Sequence, residues 1–327
     1  MFIGYLLAQH SPQVKLVWLV VTLGLRFPGK TLFEYTEEIL GKVPGKIVTF
    51  LYILWFLHTN ALVISECGNF LLTYMMPDTP VIAFNIIIVA VAAYAVRNGL
   101  EVLSRFNQLF IPVTGLLVID FLLSTKEMRL TKMLPLFDTS FTVVLKGSVM
   151  PASWIGVIVV FSLLVPYLNR PRDAYRVTTI AILISGFILI TCVLEILLVF
   201  GPILAPTFFY SIFNAVRVVS IANFMERLET ILLVTWVLGS IVTVGVFYYL
   251  AVLGSAQWLG LRDYRPMILP TGVILVALSM LIYEGLVYLT NFMTYVWPLY
   301  TLLVFELGVP LILLIIALVR RKGAKSN

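Results

Sequence analysis

The uncharged stretch from Gly147 to Leu168 most limits what this chain can fold into. It runs for 22 residues after Lys146, and about 20 apolar residues cross the roughly 30 Å hydrocarbon core of a bilayer as a helix. Pro151 and Gly156 interrupt it, because proline removes a backbone donor and glycine holds a helix weakly. Two readings fit this pattern: a broken helix whose freed backbone groups line a ligand site, as in many transporters, or a kink packed against neighbours.

Composition places the whole chain in a membrane. Hydrophobic residues make up 61% of the 327 residues and charged residues only 12%, too much apolar surface for a soluble domain of this length. The net charge of +6 comes from basic residues scattered between apolar segments, which does not indicate nucleic-acid binding. Cys67 and Cys192 are isolated within apolar segments, so they predict neither a disulfide framework nor a metal site. No cofactor is expected.

Apolar segments predict an all-α, polytopic membrane protein with a single domain over residues 1–327. The first segment is interrupted by polar residues from Gln9 to Lys15, so it should face protein or water. Between the first two segments, Thr31 and Glu34 form a capping box for a short surface helix. The nine predicted spans are 3–25, 47–75, 81–96, 102–123, 143–168, 177–200, 228–254, 267–284 and 293–319.

The distribution of basic residues predicts the orientation. The loops on one side, including the C-terminal segment after residue 319, carry 15 lysines and arginines, and the opposite loops carry 5. Cytoplasmic loops hold the excess of basic residues. The C-terminus is therefore expected in the cytoplasm, and nine spans would place Met1 outside.

Several motifs resemble one known family. They are RFPGKTLFEY from Arg26, EEILGK from Glu37, AYAVRNGLEVLSR from Ala93, VPYLNRP from Val165 and NFMERLETILLVTW from Asn223. In this order they resemble the integral membrane B subunit of spore germination proteins, relatives of the amino acid–polyamine–organocation permeases. The resemblance covers essentially the whole chain.

The resemblance implies a leucine-transporter-type inverted-repeat bundle of ten helices. The family's first and sixth helices are broken and face each other across the ligand. The fifth span here corresponds to the sixth helix of the family. The nine spans expected here are the family's ten helices without the first. Many family members carry an acidic residue near the position of Val157, and valine there makes cation handling by this helix less expected.

The same resemblance indicates a ligand site. Met150, Pro151, Ala152, Ser153, Trp154 and Gly156 match the family's unwound segment, whose free N–H groups can hold a carboxylate. Thr59 and Asn60, from the family's third helix, and Trp236, Gly239 and Ser240, from its eighth, fall near the same depth. Each of these polar residues has an alternative role as a helix–helix hydrogen bond.

Ionisable residues inside the spans form a second group of candidates. His58 and Glu306 lie near the bilayer centre and are predicted as a proton-sensitive pair, the alternative being a neutral glutamic acid bonded between helices. The outer halves of the spans hold Glu66, Asp120, Lys146 and Glu195. These four residues fit either a polar extracellular vestibule, with Lys146 paired to a carboxylate, or interfacial snorkelling.

Three functions remain after these observations. The first is a spore germinant-receptor subunit that binds a small nutrient, an amino acid, and signals to partner subunits in the spore's inner membrane. The second is a proton-coupled amino-acid transporter, and the third is a structural or channel-forming subunit without its own ligand. An enzyme is not expected, because the sequence carries no metal-ligand cluster, phosphate loop or nucleophile elbow.

Overall fold

The computed structural model of the protein describes residues 12–134, 140–168, 170–218, 228–283 and 285–323. These residues form helices joined by short turns, with no strand among them. In chain order the α-helices are α1 Pro12–Arg26, α2 Leu32–Leu40, α3 Lys42–Tyr74, α4 Val81–Arg97, α5 Leu100–Thr114, α6 Leu116–Leu123, α7 Phe141–Gly156, α8 Phe161–Leu164, α9 Ala174–Leu204, α10 Ser211–Val218, α11 Leu228–Leu259, α12 Ile268–Leu281, α13 Leu286–Tyr295, α14 Trp297–Tyr300 and α15 Val309–Val319.

Helices α3 and α11 form the centre of the bundle, and α4 and α12 pack around them. Aromatic side chains fill the space between the central pair: Trp55 and Phe56 of α3 are buried against Phe247 of α11, with ring centroids 6.2 and 5.9 Å apart. Midway along, the Asn60 amide donates to the Val244 carbonyl at 3.2 Å. Apolar packing and this bond fix the register of the two helices.

Within the described residues, five helical segments are long and apolar enough to cross a membrane. They are Lys42–Tyr74, Leu100–Lys126, Ala174–Thr207, Leu232–Leu259 and Leu286–Val319, and two shorter apolar segments are Val81–Arg97 and Arg265–Leu281. Large apolar side chains such as Leu109 and Ile203 are exposed on the outside of the bundle, as expected for a lipid-facing surface. The chain is therefore a helical integral membrane protein. The count of nine spans and the inverted repeat stay predictions.

The interrupted fifth span breaks later than the sequence predicts. Helix α7 continues through Pro151 to Gly156, and the chain then passes through a 3-10 helix at Val157–Val160, the single turn of α8 and a second 3-10 helix at Val165–Tyr167. The expectation of an unwound segment from Met150 to Gly156 is wrong. One proline removes only one backbone hydrogen bond, and a helix packed among others tolerates that loss.

The short helix α2 confirms its predicted start signal. The Thr31 side chain accepts from the Glu34 amide, and the Glu34 carboxylate accepts from the Thr31 amide at 2.7 Å. Leu32, Tyr35 and Ile39 are buried under it. Helix α2 therefore lies across the ends of the longer helices, with its polar side outward.

The segments rich in lysine and arginine meet at one end of the bundle. Arg26 donates from Nε to the Lys322 carbonyl at 2.7 Å, and Arg320 donates to the Ile39 carbonyl at 2.9 Å. Nearby, the Tyr264 hydroxyl donates to the Val96 carbonyl at 3.2 Å and Lys46 donates to the Trp258 carbonyl at 3.1 Å. Four segments that the sequence assigns to the same side are thus in contact.

Candidate functional site

A small cavity lies beside α7, toward the end of the bundle opposite the basic segments. Its volume is about 140 Å³, and an acidic side chain, Glu66, contributes to its wall. Glu66 sits near the end of α3 and is half-buried. The other lining residues come from α7, the segment before α10, and α13: Met150, Trp154, Phe209, Tyr210, Leu286, Leu289, Thr290, Met293 and Thr294.

Aromatic contacts hold the walls of this cavity in place. The Trp154 ring lies 4.8 Å from that of Trp297, which is fully buried. The Tyr210 hydroxyl donates to the Glu66 carbonyl at 3.3 Å, and its ring packs edge-on against Phe70 at 4.9 Å. Burial raises the pKa of the Tyr210 hydroxyl, so it stays protonated at neutral pH. The cavity thus presents a carboxylate between fixed aromatic side chains.

Two hydroxyl groups of α13 face the same cavity. Thr290 and Thr294 lie one turn apart, and each donates to a carbonyl of its own helix, Leu286 at 2.8 Å and Thr290 at 2.7 Å. Their oxygens keep lone pairs that accept further hydrogen bonds. Together with the Glu66 carboxylate they form an acceptor-rich site, which suits a ligand that carries N–H donors or a positive charge.

Of the six residues predicted from the family's unwound segment, the structure places Met150 and Trp154 on the cavity wall. Ser153 is buried and donates to the Met150 carbonyl at 2.7 Å, within its own helix. Pro151 is buried, Ala152 is half-buried and Gly156 ends α7. Because α7 stays helical through this turn, its amides are not available in the way that an unwound segment would offer them.

The five predicted residues of the central helices, Thr59, Asn60, Trp236, Gly239 and Ser240, do not line this cavity. Asn60 donates to Val244 of α11, and Ser240 donates to the Trp236 carbonyl at 2.9 Å. Thr59 is buried, with no hydrogen-bond partner for its hydroxyl among the described residues. Trp236 packs against Tyr210, with ring centroids 6.3 Å apart, so it supports a lining residue instead of lining the cavity itself.

A second, larger cavity of about 490 Å³ opens on the other side of Trp154. It follows the break after α7, where Val157, Val160 and Phe161 face Ile182 of α9 and Phe247 of α11. Ser185 and Thr243 are its polar lining residues within the part of the chain that the structure describes. Among the described residues, this apolar groove has no carboxylate such as the one that Glu66 contributes to the smaller cavity.

His58 and Glu306 have different neighbours in the structure. The His58 ring shares hydrogen bonds with the Tyr300 hydroxyl, at 2.6 Å from Nδ1, and the Tyr283 hydroxyl, at 3.4 Å from Nε2. Glu306 lies in a π-helical turn, Thr301–Gly308, and is fully buried. Neither of its carboxylate oxygens has a hydrogen-bond partner among the described residues, His58 included. The predicted pairing of these two side chains is therefore not formed in this conformation.

The four residues expected in an outer vestibule do not come together in a single site. Glu66 lines the small cavity, Lys146 is exposed on α7, and Asp120 contacts Glu195 at the packing of α6 on α9. Among the described residues, the ion pairs are Lys30–Glu38, Arg105–Glu101 and Arg265–Asp263, so Lys146 has no carboxylate partner there. The described residues also contain no group of three or more His, Cys, Asp or Glu side chains able to hold a metal ion.

The sequence alone did not identify most of the cavity wall. Tyr210, Thr290 and Met293 lie in segments of ordinary amphipathic composition, and only the fold brings them next to Glu66. Glu66 itself gave a signal, because a carboxylate near the end of an apolar span is costly. The sequence assigns it to a general vestibule because its position along the span is predicted but its neighbours are not.

Comparison with known proteins identifies the family. A family model described as spore germination protein matches residues 3–285. Spore germination protein KB of Bacillus subtilis (strain 168) is 27% identical over 306 residues, covering 92% of this chain and 82% of the relative. Two further proteins of that organism are similar: putative spore germination protein YfkT, 27% identical over 259 residues (79% and 71% covered), and spore germination protein A2, 25% over 247 residues (73% and 66%). With its apolar helical bundle, this chain belongs to the spore germination protein family.

Proposed function

We propose that this chain is the membrane subunit of a spore germinant receptor, and that it binds an amino acid in the cavity beside Glu66. The observation that carries the proposal is the Glu66 carboxylate set opposite Met150 and Trp154 of α7, with two threonine hydroxyls alongside. An engineered protein cavity of about 150 Å³ binds benzene, so a space of about 140 Å³ suits a small ligand.

The chemistry of the cavity suits the ammonium group of an amino acid. A carboxylate and neutral hydroxyl oxygens accept hydrogen bonds from an ammonium group, and a charge-assisted bond is about twice as strong as a neutral one. Met150, Leu289 and Met293 supply apolar contacts for a short side chain. In this proposal Glu66 binds the ammonium group and Trp154 closes the site.

Signalling requires a ligand that binds one conformation better than another. Trp154 borders both cavities, and the chain leaves α-helical geometry after Gly156. A ligand that holds Trp154 in one position therefore biases the interrupted stretch that follows. The resulting movement would be passed to other receptor subunits in the spore's inner membrane.

Binding is tested by thermal unfolding of the purified protein in detergent, screened against single amino acids. A ligand at about a hundred times its dissociation constant adds roughly 2.7 kcal/mol to the free energy of unfolding, and Glu66→Gln should remove this effect. The matched control is Glu101→Gln, an exposed carboxylate of α5 that is 74% accessible. An equal shift in Glu66→Gln would exclude Glu66 as the ammonium partner, and no shift with any amino acid would favour a structural or channel-forming subunit.

Proton-coupled amino-acid transport is the second candidate. It is favoured by the buried Glu306 within a π-helical turn, because single π turns often occur at functional sites, and by His58 held between two tyrosine hydroxyls. Purified protein in liposomes should then accumulate the amino acid along an imposed proton gradient. Binding without flux would support the receptor.

A further inference from the structure

Two buried carboxyl groups touch where α6 packs on α9. Asp120, in the last turn of α6, is 8% exposed, and Glu195 of α9 is 0% exposed. The two side chains are within hydrogen-bonding contact of each other. Neither the amino-acid cavity nor the His58 region includes them, so the pair has no role in the proposed function.

One neighbouring hydroxyl group, that of Ser124, can donate a hydrogen bond to this pair. Ser124, fully buried just after α6, places its Oγ 2.6 Å from Glu195 Oε1 and 2.9 Å from the Asp120 carbonyl. A serine has a single hydroxyl proton, so it can satisfy only one of these acceptors at a time. Both oxygens of Asp120 and Oε2 of Glu195 are buried and have no hydrogen-bond donor among the described residues.

No cationic side chain of the described residues neutralises the pair. Lys132 donates from Nζ to the Val199 carbonyl, one turn beyond Glu195, and α11 meets α6 through apolar side chains around Leu117 and Leu232. Helix α1 packs on the far end of α9, at Ile182. The titratable side chains on the surrounding elements are Cys192 beside the pair, the exposed Lys126, Glu127, Arg129 and Lys132, the Glu101–Arg105 ion pair of α5, and Arg217 over the Phe213 ring.

Two carboxylates in contact away from water cannot both be ionised. A single proton resolves the conflict, because the acid form of one group donates its O–H to the other and the pair then carries only one negative charge. This bond also gives a hydrogen-bond partner to two of the three unpartnered oxygens. A divalent metal would need further ligands, and the described residues, Cys192 included, form no group of three or more His, Cys, Asp or Glu side chains able to hold a metal ion.

We propose that Asp120, Glu195 and Ser124 form a proton-binding site that fastens α6 to α9 through one shared proton. The site is separate from the amino-acid cavity. The largely exposed segment 125–133, which follows Ser124 directly, gives the proton a short route to water on the side of the membrane opposite the basic end. Loss of the proton leaves two touching negative charges, which push the two helices apart.

The first test measures thermal unfolding of the full chain in detergent across a range of pH. A native state that holds a proton lost on unfolding becomes less stable as pH rises, so the wild-type melting temperature should fall on the alkaline side. In Asp120→Asn the amide donates to Glu195 at every pH, and the pH-dependent part of the fall should shrink. Glu101→Gln, which changes an exposed carboxylate, should behave as the wild type. An unchanged pH dependence in Asp120→Asn would overturn the proposal.

Infrared spectroscopy gives a readout that does not depend on the stability of one variant. A shared proton produces a carboxylic-acid C=O band in the wild type, which should lose intensity as pH rises. The difference spectrum between the wild type and Glu195→Gln should contain that band. Bands of other protonated carboxyl groups are common to both proteins and cancel. Absence of the band from the difference spectrum, or stabilisation by sodium in place of protons, would contradict proton binding and point to a metal cation.

Discussion

At the scale of single residues, Gly68 shows how closely the helices of the bundle approach. A Cβ added at Gly68 of α3 would lie 2.2 Å from Asn85 Oδ1 of α4 and 3.0 Å from Val81 Cγ2. Asn85 cannot move away easily, because it is buried and its amide donates to the Ser279 hydroxyl of α12 at 3.0 Å. Gly68 thus lets one asparagine join three helices.

The first residue-scale prediction is that Gly68→Ala destabilises the protein. Overpacking a well-filled interior costs about 1–3 kcal/mol, and thermal unfolding in detergent measures the loss. Gly147→Ala is the matched control, because a Cβ there meets no atom within 4 Å and alanine favours a helix. Equal melting temperatures for the two variants would show that the Asn85 side chain moves to accommodate the added methyl group at little cost in stability.

Residues also show how far the sequence could predict the site. Position along an apolar segment is readable from sequence, so Asn60, Glu66 and Glu195 are predicted as polar groups within spans. Partners are not readable, because they come from other helices: Asn60 bonds α11, Glu66 faces α13, and Glu195 meets α6. The sequence therefore predicted that these groups lie within helices, as they do, and could not assign a neighbour to any of them.

At the scale of elements, local signals were more reliable than the longer pattern. The capping box of α2 was predicted from two residues, because its bonds join positions three apart in the chain. The break in the fifth span was predicted at the wrong residues. A proline restricts the local helix geometry, but packing against neighbouring helices determines where the helix ends. Likewise, no local sequence signal predicts the π-helical segment around Glu306. Its backbone is so tightly packed that a Cβ at Gly308 would clash with the Leu303 carbonyl oxygen.

The element-scale prediction concerns the start of α2. Thr31→Ala removes the cap and should lower the free energy of opening of α2 by about 1 kcal/mol, measured by hydrogen exchange of amides within Leu32–Leu40. It also removes a hydrogen bond from Thr31 to Gln257 of 2.9 Å. Thr31→Ser keeps the hydroxyl and should exchange like the wild type. Faster exchange in both variants would attribute the effect to the lost methyl group instead of the cap.

At the scale of the whole molecule, the two ends of the bundle differ in charge and in content. The basic end is tied together by side chains that donate to backbone carbonyls, including Arg320 to Ile39 and Lys322 to Glu38 at the end of α2. The other end holds the cavity beside Glu66 and the Asp120–Glu195 pair. Basic residues are retained on the cytoplasmic side of a membrane, so we expect both candidate sites to lie toward the outer face, where a nutrient arrives.

This orientation is testable with single cysteines and a membrane-impermeant maleimide on intact bacteria that express the protein. Asp78→Cys lies in the exposed turn between α3 and α4, and Leu261→Cys lies in the exposed turn after α11, at the basic end. Asp78→Cys should react in intact cells, whereas Leu261→Cys should react only after permeabilisation. The unsubstituted chain controls for Cys67, which is buried, and Cys192, which is partly buried. The reverse pattern would place both sites toward the cytoplasm, and a nutrient outside the cell could not reach the cavity beside Glu66 directly.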